Sequence, residues 1–380
     1  MSGTTSTTTA LSPIQNLAQR LGCQWRNIED ARQRTQQTLA RLSDIIEKVP
    51  GPDSDTSVVV DGSIARYECT QGSDLDWMLL VDAQANADHQ EILLGIRGAL
   101  NPKSANGQRR LFAELGLQEP GTEGTFGTLA FSQPLIHNIG GEHDSNSNTT
   151  RRVLLLLEAL PIGVRREAFD RVRKNILKRY LVEDKGLLHP SMEGEPRWVP
   201  LFLLNDFARY WRTMAVDFAY KQFNRGGKGY ALRSIKLGTS RKLLFASGLL
   251  ACFWCDPKVS NLQGQEPKTQ SLIDCLEVFL SHTPLERFAV FFASNLLVKQ
   301  SDFLDGCALN LFGSYNDFLG LLNDEQKRDH LDKLESDDQN ESQIFSEARQ
   351  IRHRFRLAIQ DTFTGEGSPL RDHSIAKGIF

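Results

Sequence analysis

Residues 58–82 read VVVDGSIARYECTQGSDLDWMLLVD, and this stretch narrows the folds open to the chain more than any other. It holds two apolar, strand-like runs. A Gly-Ser turn follows the first run, and an Asp-Leu-Asp lies within the second. On a strand, residues i and i+2 share a face, so Asp74 and Asp76 are expected to project together. Two carboxylates that close repel each other and resist burial unless a cation neutralises them. A hard divalent cation, Mg²⁺ or Mn²⁺, binds such a pair together with substrate phosphates. Gly62 lets the backbone approach a phosphate closely. Ser63 adds a hydroxyl and an N–H at the start of an expected helix.

The segments around this stretch predict a small mixed α/β unit ending near residue 150. From Pro13 to about Val49, apolar residues recur at threes and fours, which predicts one long leading helix. A helix follows the second strand around HQEILLGIRGAL, NPKSANGQRR reads as a loop, and TFGTLAFSQPLI reads as one or two short strands. IGGEHDSNSNTT is a polar loop whose Thr149-Thr150 could cap the next helix. Residues 151–364 show the 3.6-residue period almost throughout, so a larger all-helical domain is expected there. Residues 1–12, rich in Ser and Thr, are expected to be disordered. Residues 365–380 are expected to be a loosely held tail. The predicted class is α+β.

The order strand, Gly62-Ser63, spacer, Asp74-x-Asp76, strand resembles the signature of the polymerase-β-like nucleotidyltransferase superfamily. The wording GSIARYE…T…SDLDW is most similar to bacterial nucleotidyltransferases near the PII-uridylyltransferases. The resemblance implies that Gly62 and Ser63, with Arg66 and Ser73 beside them, hold a nucleoside triphosphate, while Asp74 and Asp76 hold Mg²⁺ or Mn²⁺. It further implies a third carboxylate from a later strand, which helps to deprotonate the acceptor. Glu158, at the end of RRVLLLLEAL, is the natural choice if that run is a strand. Its Leu-rich composition favours a helix, with Glu158 then a buried partner of an arginine. Glu123, Glu142 and Asp144 are the other acids near the expected strand.

A helical domain in the resembled superfamily carries a lysine and a serine that reach the distal phosphates. Lys236 and Ser240, one turn apart in ALRSIKLGTSRKLLF, fit that role. Asp206, Arg209, Thr213 and Asp217 form a second polar stripe, from which Arg209 is a further candidate for the nucleotide. Either stripe could instead be a solvated or salt-bridged helix face.

Composition removes other classes. A net charge of −3 over 380 residues does not suit a dedicated nucleic-acid coat, and no apolar run approaches membrane-spanning length. The opening MSGTTSTTTALSP lacks the basic and apolar regions of a secretory signal, so a cytoplasmic location is expected. Cys252 and Cys255 form a single CxxC inside an apolar run and read as core thiols.

The expected activity is transfer of a nucleoside monophosphate from an NTP to an acceptor hydroxyl, with release of pyrophosphate. The size of the helical half favours a protein or RNA acceptor. Alternatives are a cyclic oligonucleotide synthase, whose spine helix the leading helix resembles, and a non-catalytic nucleotide-binding regulator or defence-system component.

Overall fold

The computed structural model describes residues 11–51, 53–100, 114–118, 127–190, 194–224, 227–260, 268–298, 302–334 and 341–378. Helices dominate, around a four-stranded mixed sheet in the order β5-β3-β1-β6. The strands are β1 Thr56–Asp61, β3 Asp76–Val81, β5 Thr128–Phe131 and β6 Leu160–Ile162. Two-residue strands β2 Ser73–Asp74 and β4 Leu117–Gln118 pair separately. β1 runs antiparallel to β3 and β6, while β5 runs parallel to β3.

The alternation of β1 and β3 divides their side chains between two cores. Val59, Met78 and Leu80 enter the large core of the helical half. Val58, Val60, Trp77, Leu79 and Val81 enter a smaller one, under the helices Arg26–Ile46 and Ala87–Leu100. Each of these strand side chains is at most 3% exposed, so both faces of the sheet are covered. That explains why VVV and WMLLV read as continuous apolar runs.

Four expectations need correction. The leading segment is two helices, Pro13–Leu21 and Arg26–Ile46. Ser12 and Gln15 form a capping box at the start, and Gly22, at φ +64, ends the first helix by donating to Ala18 and Gln19. The long helix likened to a synthase spine is therefore interrupted, although 21 residues of it remain.

The boundary near residue 150 falls inside the helix Asn146–Leu157, capped by Ser145 rather than by the threonines. β6 follows that helix, so the sheet is completed only at Ile162. β6 leaves little signal in the sequence, being three residues long and containing Pro161, which suits an edge strand.

SQPLIH forms the helix Ser132–His137. The segment after Thr364 is docked through residue 378. Leu370 is fully buried, His373 stacks on Phe253 at 5.5 Å, and its Nε2 lies 3.0 Å from Asp256. Residues 101–110 and Glu123 lie outside the described residues, as do residues 1–10.

In the helical half, the helix Tyr230–Lys236 passes through a π-helical turn, Leu237–Arg241, into Lys242–Trp254. Lys242–Trp254 is apolar on nearly every side and lies at the centre of the core. Cys252 and Cys255 sit in this segment, and burial pushes both thiols well above their ordinary range. All six cysteines are free thiols. Among the described residues, no helix is long and apolar enough to cross a membrane.

Candidate active site

β1 and β3 are paired so that Asp61, the last residue of one, faces Asp76, the first of the other. One residue later, Gly62 takes φ +72, a conformation that strains any side chain. The chain drops from there into the short helix Gly62–Ala65. A Cβ on Gly62 would stand 3.1 Å from Asp76 Oδ2, so the glycine meets two requirements at once. It permits the turn, and it leaves the space beside the carboxylate open.

The turn is latched from the end of a helix. Glu158 caps the helix Asn146–Leu157 just before β6. Its Oε1 accepts the Gly62 N–H at 3.1 Å, and its Oε2 accepts the Arg66 guanidinium. Arg66 also donates to Glu68 at 2.8 Å. Behind them, fully buried Arg287 donates to the Leu157 carbonyl at 2.7 Å and holds the helix end that presents Glu158. The run ahead of Glu158 is a helix, and Glu158 partners an arginine, as its Leu-rich composition predicts.

Asp74 lies in β2 and is exposed, Leu75 is fully buried, and Asp76 is half-buried. The two aspartates thus share the open side. Burial, then Asp74, then Glu158 push the Asp76 carboxyl up to about 8, with Arg241 and Arg66 pulling it back. Asp61 is completely buried, and neither carboxylate oxygen has a hydrogen-bond partner. Burial, followed by Glu158 and Asp76, pushes it far above the usual carboxylate range. Burial and the mutual repulsion of the acids thus outweigh the nearby guanidinium groups and favour the protonated form of both.

Among the described residues, no three His, Cys, Asp or Glu side chains stand in metal-holding geometry. The donors on the open side are two carboxylates, with an unpartnered third behind them. That set fits a hard divalent cation that completes its shell with phosphate and water.

Cations face these acids from the helical half. Lys236 is depressed by burial and feels the opposing charge of Asp74, with Arg328, Arg241 and Arg66 as like-charged neighbours. Arg328, on the helix Glu325–Lys333, donates to the carbonyls of Gln71 and Gly72 beside β2, and Asp74 is its nearest acidic influence.

The structure therefore brings together Gly62, Ser63, Arg66, Asp74, Asp76, Glu158 and Lys236. The remaining candidates have other engagements. The Ser73 hydroxyl is buried and accepts the Thr70 N–H at 3.0 Å, closing a turn. The Ser240 hydroxyl donates within its own helix to the Lys236 carbonyl at 3.3 Å.

Arg209 donates to Asp144, both to a carboxylate oxygen at 3.0 Å and to the carbonyl at 2.8 Å. Asp144 and Asp206 in turn clasp fully buried Arg152 at 2.8 and 2.7 Å. The Asp206–Arg209 stripe is thus a salt-bridged structural network. Asp144 belongs to it, and Glu142 is exposed on the loop.

Asp61 and Arg328 are not among the residues the sequence singles out, and Arg241, on the same run as Lys236, is passed over for it. Asp61 carries a signal in the sequence, since a carboxylate ending an otherwise apolar VVV strand requires an explanation. Arg328 carries none, because its approach depends on a contact spanning more than 250 residues. The chain matches no family model and no curated protein.

Proposed function

We propose that this chain is a metal-dependent nucleotidyltransferase that moves a nucleoside monophosphate from an NTP to an acceptor hydroxyl. The observation that carries the reading is the Gly62 turn at φ +72, open on the side of Asp76 and latched by Glu158. In the reaction, the acceptor hydroxyl gives up its proton to water as its oxygen forms a bond to the α-phosphorus. The bond to the bridging oxygen breaks, and pyrophosphate leaves with the electron pair. An Mg²⁺ ion held by Asp74 and Asp76 would activate the attacking oxygen and offset charge on the leaving group.

The residues of the chain divide the remaining work. The Gly62-Ser63 backbone admits the triphosphate. Lys236, Arg241 and Arg328 offset its roughly four negative charges and the charge that builds on the departing pyrophosphate. Glu158 and Arg66 fix the turn. Radiolabelled ATP, GTP, CTP and UTP, each incubated with Mg²⁺ and cell extract, test the reading. Label should pass to a protein, RNA or small-molecule acceptor with wild type and not with Asp74→Asn or Asp76→Asn. Metal-dependent transfer surviving in the double variant would exclude it.

One observation favours a second reading, a nucleotide-binding regulator without turnover. Both Glu158 oxygens are engaged by the turn, and Asp61 is sealed from solvent. NTP binding without pyrophosphate release, in the same assay, would select it.

A further inference from the structure

A second cavity, of about 960 Å³, opens beside the π-helical turn and is lined there by Leu237, Gly238 and Lys242. Its opposite wall is the helix Gln343–Thr364, which contributes Arg349, Arg352 and Arg356. These three stand at i, i+3 and i+7, so they line one face over about 10 Å. No acidic residue among the described ones lines the cavity. Among the described residues, no carboxylate pairs with these three arginines or with Lys242.

Their contacts are neutral instead. Arg352 donates to the Ser234 hydroxyl at 2.7 Å, Lys242 lies over the Trp211 ring at 5.8 Å, and Arg349 lies over the Phe345 ring at 5.9 Å. Burial, then Arg356 and Arg352, depress Lys242, which marks a real convergence of like charge. A fourth arginine on this wall, Arg354, is already paired with Asp317 at 2.8 Å.

Four cations around one cavity repel one another, and an anion seated among them relieves that repulsion. The rest of the lining shows which anion. Trp211, Phe218 and Tyr230 line the same cavity and are half-buried, with Trp211 stacked on Phe245 at 5.3 Å and Phe218 tilted against Tyr230 at 5.9 Å. Phosphates against arginines and bases against rings are the two halves of single-strand recognition. We infer that this groove binds single-stranded nucleic acid. A simple phosphate site would not need the aromatic wall.

The groove and the candidate active site share one helical rod. Lys236 and Arg241 face the acids, and Lys242 faces the groove. A strand seated here could present its terminal hydroxyl as acceptor, a step that rests on the transferase reading, whereas binding itself does not.

The test is fluorescence anisotropy on the full chain, with fluorescein-labelled oligouridylate and oligothymidylate and with heparin as a polyanion lacking bases. Wild type should bind at least one strand, with affinity falling steeply as salt rises, and the tighter of the two identifies the natural source. Arg349 and Arg356 are exposed, so an Arg349→Glu/Arg356→Glu variant should keep its circular dichroism spectrum. It should bind at least about tenfold more weakly, with a salt slope reduced by about 1.4, for two phosphates at about 0.7 each. Tyr230→Leu should weaken both strands by about fivefold or more while heparin binding stays unchanged.

No strand binding by wild type at low salt, or undiminished binding by the double variant, would overturn the inference. So would equal losses for heparin and the strands in Tyr230→Leu. Asp74→Asn/Asp76→Asn should bind the strands as wild type does. Strand binding without nucleotide transfer would leave the groove standing and remove the transferase reading. Transfer with groove variants that bind normally would do the reverse.

Discussion

At the residue scale, the site is a balance between acids whose pKa burial and mutual repulsion raise and a cation that would favour their ionised form. Because Asp76 is held near 8, a divalent ion must displace a proton to bind it. Mn²⁺ affinity should therefore rise by about tenfold per pH unit between about pH 6 and pH 8, with proton release visible by calorimetry in two buffers. A flat profile would mean that Asp76 is not a ligand. Asp61 and Asp76 both have raised acid pKa values in the folded chain. They bind protons that the unfolded chain has already lost above its ordinary value of 3.8. Without a cation, stability is thus expected to fall as pH rises from about 4 towards about 8. Asp61→Asn should flatten that fall, raising Tm more at pH 8 than at pH 5. A fall just as steep in the variant would assign the pH dependence elsewhere.

At the scale of elements, the helix Tyr230–Lys236 separates two candidates that look equivalent in sequence. Lys236 faces Asp74, whereas the Ser240 hydroxyl is bonded to a carbonyl one turn back. Lys236→Ala should raise KM for NTP by one to two orders of magnitude, from a lost charge-assisted bond of roughly 1.5–3 kcal/mol. Ser240→Ala should change it by less than about twofold, because that hydroxyl serves the helix. Equal effects in steady-state kinetics would refute the distinction. The contrast also shows how far sequence could reach. Two apolar runs were enough for β1 and β3, because strand period is a local rule. Asp74, expected on one strand with Asp76, instead lies in β2, which pairs with β4 in a separate sheet. The π turn and the three-residue β6 were not legible, since each follows the helix period or a proline rule nearby. The break at Gly22 left a local cue, a helix-ending glycine, that the apolar period masked.

At the scale of the whole molecule, the sheet is not a module set beside helices, since Val59, Met78 and Leu80 belong to the helical core. A fragment ending at residue 150 lacks β6, the end of the helix that presents Glu158, and the partners of one sheet face. It is expected to show no cooperative thermal transition by circular dichroism, and a sharp one would mean that the α/β part folds alone. The π-helical turn carries a wider consequence. A helix that takes in one extra residue falls out of phase with itself by about 100°, so the side chains beyond it are dealt to a different face. The rod from Tyr230 to Trp254 therefore carries a phase step at Leu237–Arg241. Closing that step to a regular α-helix would re-aim the whole upstream face, Lys236 included.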